Sequence, residues 1–135
     1  MGCDFYVKMF VGVRWSEIVE DRSEPMSVTK YDPDTGKPYK VSDTLRSQWI
    51  DGKQVGDAND CIQKVLQGDP VEMHEIDEGQ IIGIQLENQD IKYQSTLGSY
   101  SIAQLQVQID IVKQGLEKLG CKAEPKVHFI SYCQA

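Results

Sequence analysis

Alternation of side-chain character over residues 5 to 15 restricts this chain more than any other feature. Phe5, Val7, Met9, Val11, Val13 and Trp15 are apolar, and Asp4, Tyr6, Lys8, Gly12 and Arg14 interleave with them. Successive side chains of a strand point to opposite faces, so a period of two over this length predicts a strand with one face on a core. Phe10 interrupts the polar face. With Tyr6 it places two aromatics away from the main core, where they are either covered by another element or form a contact surface.

A strand with one apolar face needs a cover, and residues 101–119 offer one. Ile102, Leu105, Ile109, Val112, Leu116 and Leu119 recur at spacings of three and four, Ser101 and Gln104 have capping-box spacing, and Gly120 supplies a left-handed stop. The stripe lasts under three heptads, and Val107 and Ile111 widen it, so it reads as a face packed on a sheet rather than a dimer seam. A short helix is expected over about 58–67, capped by Asp57 or Asn59 and stopped at Gly68. Strand signals lie at Ser27–Tyr31 and Pro38–Ser42, on either side of Asp51-Gly52, over Val71–Glu75 and Gln80–Glu87, and at Lys126–Cys133, while residues 16–25 read as a loop or irregular edge. The order predicts a single α+β domain over residues 1–135: a mostly antiparallel sheet, one long helix on one face and one short helix.

Composition narrows the function classes. Of the 135 residues, 40% are apolar and 26% charged, which suits a chain that buries a core. No apolar run approaches a membrane span and no signal peptide is evident, so a cytoplasmic location without membrane contact is expected. Cys3, Cys61, Cys121 and Cys133 are widely spaced and form no Cys-x-x-Cys, which reads as reduced thiols. Met1-Gly2-Cys3 invites acylation, but Tyr6 stands where the myristoylation pattern wants Ser or Thr.

The net charge of −7 is concentrated in one segment. Residues 57–90 hold nine carboxylates against Lys64, giving −8, and the remaining 12 acids and 13 bases sum to +1. An acidic chain repels phosphate backbones, so direct nucleic-acid binding is not expected and a basic protein partner is. Glu72, Glu75, Asp77, Glu78, Glu87 and Asp90 are the candidate acidic surface, either a solvated face or a docking surface whose carboxylates occupy a nucleic-acid-binding groove in place of phosphates. Tyr6 and Phe10 are the candidate aromatic contacts.

Text motifs are weaker than they look. Within Tyr31–Lys40, Asp34-Thr35-Gly36 spells the aspartic-protease triplet, yet its flanks Pro33 and Lys37-Pro38 are turn residues, not the apolar framework that lets two carboxylates share a proton. Counting Asp32 as the first ligand of a calcium loop puts Gly36 one place early and Lys37 at the bend. A hairpin tip uses every residue: Pro33 presets φ, Asp32 accepts from the following amides, and Gly36 takes the left-handed position. Glu72 and His74 share a strand face and His128 would add a second imidazole, a thin basis for a metal site; Glu78 stands where His-Glu-x-x-His needs its second histidine. No nucleophile elbow or phosphate loop is present, no catalytic residue is named and no cofactor is implied.

The expectation is a small acidic interaction module that binds a protein stoichiometrically, as an inhibitor or adaptor. The alternative is a small metal-dependent enzyme or hydrolase using His74, His128 and nearby carboxylates, and a homo-oligomer is a third option.

Overall fold

A computed structural model describes residues 4–86 and 99–134. The elements in order are β1 (Asp4–Arg14), α1 (Trp15–Ile18), β2 (Val19–Tyr31), β3 (Pro38–Ile50), β4 (Lys53–Val55), α2 (Ala58–Val65), β5 (Glu72–Ile76), β6 (Gly79–Gln85), α3 (Ile102–Lys118) and β7 (Lys126–Gln134). The chain is mixed α+β, but its strands divide between two antiparallel sheets where one was expected: β5-β6-β1-β7, and β2-β3-β4.

The first sheet forms as the alternation dictates. Val11 and Val13 face the core together with Ile82 and Leu86, and Val112 and Leu116 of α3 close over them. Ser101 caps α3: its hydroxyl accepts from Gln104 N at 3.0 Å, and the Gln104 side chain accepts from Ser101 N at 2.8 Å. Gly115 on the buried face of α3 lets Val71 approach, since a Cβ there would stand 2.7 Å from Val71 Cγ2. Helix α2 begins on Asp57, whose carboxylate accepts from Asp60 N at 3.1 Å, and contributes Ala58 and Ile62 to the same core. The α3 stripe is shorter than expected: Ile102 is 85% exposed.

Across the β1–β6 ladder Gly12 faces Gly83. A Cβ on Gly12 would lie 2.3 Å from the Ile82 carbonyl oxygen, so the strands approach there as only glycines permit.

The second sheet departs most from expectation. Residues 16–25, expected as a loop or irregular edge, are α1 and the first half of β2, an edge strand, and β2 pairs with β3 through thirteen positions from Val19↔Ile50 to Tyr31↔Pro38. Ser27↔Ser42 and Tyr31↔Pro38 lie on the strands anticipated, but the hairpin runs far beyond them. Pro25 is tolerated within β2 because β2 is the edge of its sheet and needs no outward amide. At about 3.3 Å per residue the ribbon spans roughly 40 Å. Only its root enters the core, through Ile18, Val19 and Ile50. Asp51 and Gly52, with φ of 47° and 78°, then turn the chain into β4.

Candidate interaction surfaces

The β2–β3 arm has two unlike faces. Register puts Ser23, Ser27, Thr29, Lys40, Ser42, Thr44 and Arg46 on one, and on the other Met26, Val28, Tyr39, Val41 and Leu45 interleaved with Glu24, Lys30 and Asp43, ending at Trp49 by the root. Val28 and Val41 are cross-strand partners and shield each other in part. Their neighbours stay in water: Leu45 is 50% and Tyr39 48% exposed. At the root, Arg22 lies 3.9 Å over the Trp49 ring and donates twice to Glu20, at 3.0 Å each. That charged hydrogen bond holds the Glu20 carboxyl below its ordinary range. A cleft of about 590 Å³ beside the root mixes Arg22 and Arg46 with Asp21 and Asp57.

The arm's tip is the turn its residues specify. Asp32 Oδ1 accepts from Asp34 N at 2.8 Å and Thr35 N at 3.4 Å, its carbonyl accepts from Gly36 N at 2.8 Å, and Gly36 has φ of 68°. The Asp32 carboxylate is committed to the loop's own amides. Asp34 stands exposed, without apolar walls about it.

The acidic candidates lie on the other sheet, on β5 and in its turn into β6, where Glu78 lines a cleft with Arg14, Trp15 and Ser16. Glu72 and Glu75 lie on β5, an edge strand, and Asp77 and Glu78 form the turn into β6. All four are exposed, and among the described residues none of them is in a salt bridge. Asp69, from the same acidic segment, behaves differently. Its side chain is 7% exposed, binds Lys118 and accepts from Val71 N at 3.1 Å. The lysine bond first, then the amide, holds its pKa below 3.8. Glu87, Asp90 and the Tyr6 side chain lie outside the described part of the structure.

Phe10 is 2% exposed and its ring centroid sits 5.2 Å from that of His74. It is covered by its neighbours, and its ring is not available as a surface contact. His74 Nε2 lies 3.3 Å from the Gly83 carbonyl and His128 Nε2 3.0 Å from that of Gly12. A carbonyl only accepts, so each ring donates from Nε2. Register does put Glu72, His74 and His128 on one face of the sheet, but β5 and β7 are its two edges, about 14 Å apart at three strand spacings. Among the described residues, no three or more His, Cys, Asp or Glu side chains are arranged to hold a metal ion. Cys121 is buried, and desolvation pushes its thiol pKa up.

Sequence reasoning missed the exposed apolar residues on one face of the arm. Their signal is the period-two spacing of Met26 and Val28 on one strand and of Tyr39 and Val41, with Leu45, on the other, which the charged run 20–24 and Pro25 obscured. No described helix is long and apolar enough to cross a membrane. In comparisons with known proteins the chain matches no family model, no curated protein and no solved structure.

Proposed function

We propose that this chain works by stoichiometric binding to a protein partner, with the β2–β3 arm as the element that docks. One observation carries the reading: a two-stranded ribbon of thirteen paired positions holds Met26, Tyr39 and Leu45 in water on one face, set among Glu24, Lys30 and Asp43. Isolated two-stranded ribbons are marginal in water, and exposed apolar patches rimmed by polar residues mark interaction sites. A catalytic reading would need convergent polar groups in a closed pocket, whereas the arm offers length, an apolar stripe and two free edges.

The partner's charge is the subject of a second reading, supported by the four unpaired carboxylates at the β5–β6 corner. They suit a basic protein, gripped by the arm or approached separately, and an acidic adaptor or inhibitor would present such a corner.

The test uses the full chain, a chain with Glu24–Leu45 replaced by Asn-Gly, and a chain carrying Glu72→Lys, Glu75→Lys, Asp77→Lys and Glu78→Lys. Each serves as bait in the native cell extract at low and moderate salt. The arm-shortened chain is expected to lose its partner at both salts, and partners retained in full would sink the arm reading. Charge reversal is expected to weaken capture and flatten its salt dependence; unchanged binding and salt dependence would remove the acidic corner from the interface.

A further inference from the structure

The two edges of the four-stranded sheet are built on opposite principles. Edge strand β5 has five residues and carries Glu72 and Glu75, with Asp77 and Glu78 in the turn that follows. Charges on a short edge are the usual guard against pairing with another chain. At the other edge β7 has nine residues, with no proline and no charged residue after Lys126: Val127, His128, Phe129, Ile130, Ser131, Tyr132, Cys133 and Gln134. Among the described strands β7 pairs with β1 alone.

Among the described residues its core-side face is only partly covered as well. Val127 and Phe129 lie opposite Val11 and Met9, yet they are 38% and 73% exposed, and α3 packs chiefly over β1 and β6. An apolar shelf is left beside the helix. From these observations we infer that β7 is the edge through which two copies of this chain pair, antiparallel, continuing the sheet across a two-fold axis with Val127 and Phe129 packing between the two helices.

Charge argues for a second copy as the occupant. Two chains of −7 repel, so they associate where the acid is not. The nine carboxylates of residues 57–90 include the β5 edge, whereas residues 121–135 hold Lys122 and Lys126 against Glu124, a sum of +1. A strand whose one Lys, Arg, Asp or Glu is Lys126 at its first position, pairing antiparallel with itself, sets that lysine toward the far end of its copy and brings no like charges together. Area agrees. A nine-residue strand is about 30 Å long, and the sheet with the layer holding α3 and the shelf is about 20 Å deep, giving roughly 1,200 Å² over both copies, the lower end for specific pairs. The α3 seam weighed from sequence is closed to this role, since Val112 and Leu116 are buried against the sheet.

Sedimentation of the full chain between about 1 and 100 µM tests the inference. A concentration-dependent dimer that tightens with added salt is expected, because salt screens the net repulsion. Phe129→Lys, at an exposed position, should keep its circular dichroism spectrum and weaken pairing by about tenfold or more; Gln67→Lys, in the turn after α2, should pair as the natural chain does. A natural chain that stays monomeric across the range at high salt, or a folded Phe129→Lys that dimerises unchanged, overturns the proposal. Should Phe129→Lys fail to fold, hydrogen exchange of β7 in the natural chain decides: slower exchange at high concentration upholds the edge, and no change overturns it. The arm reading is independent, since the arm-shortened chain should dimerise as well as the natural one.

Discussion

Single residues carry constraints that their identities barely announce. Gly12 reads in the sequence as one more small residue on the polar side of a strand, yet a Cβ there would sit 2.3 Å from a backbone oxygen of β6. Backbone cannot rotate aside as a side-chain tip can, so Gly12→Ala should cost about 3 kcal/mol or more, seen as a lowered urea midpoint with unchanged slope. Asp69 supplies the residue-scale pH dependence. Its folded pKa lies below 3.8 because Lys118 and Val71 N stabilise the carboxylate. A depressed acid pKa gives stability that is present above the unfolded value and is lost as pH falls through the folded one. Asp69→Asn should therefore lower the urea midpoint near pH 6, and the gap from the natural chain should close near pH 2. An equal gap at both values would show that the loss came from packing rather than ionisation.

At the scale of elements, α3 shows how helix propensity and packing oppose each other. An alanine at position 115 would favour the helix by about 1 kcal/mol but would press its methyl onto Val71, which is fully buried and stiff at χ1. Overpacking of this kind costs about 1–3 kcal/mol, so Gly115→Ala should destabilise on balance. Adding Val71→Ala should recover part of the loss, and the double-mutant cycle measures the coupling. Much at this scale was legible in advance. The capping box at Ser101, the stop at Gly120, the Asp51-Gly52 turn and the alternation of β1 are local devices, and local devices are written in neighbouring residues. Residues 16–25 were not legible as a strand, because residues 19–25 draw their partners from 19 to 31 residues away and Pro25 is compatible only with an edge that the sequence cannot designate. Phe10 shows the same limit: Register told that it left the main core, and only the fold shows His74 lying against it. The acidic corner was visible as composition, whereas the contrast between a guarded β5 edge and an unguarded β7 edge needed the strand order.

The whole molecule is a body with an arm, and the arm sets the largest prediction. Its root is fixed by Val19 and Ile50 in the core and by Arg22 between Glu20 and Trp49, but beyond Ser23↔Arg46 the ribbon is held, among the described residues, by its own ladder and cross-strand pairs such as Val28↔Val41. Such pairs contribute about 0.2–1 kcal/mol each, too little to make a long ribbon rigid without a third layer. Backbone amides of the distal arm should therefore exchange with solvent well before those of β1, β6 and α3, whose opening requires the common core to open. Replacing Glu24–Leu45 by Asn-Gly keeps the braced root and removes little that the body touches, so the urea midpoint of the body should move by less than about 1 kcal/mol in free energy. A larger loss would mean that the apolar stripe already packs within the chain. A loss that small, together with slowed exchange of Met26, Val28, Tyr39 and Val41 only when a partner is added, would identify the stripe as surface the chain keeps for another protein.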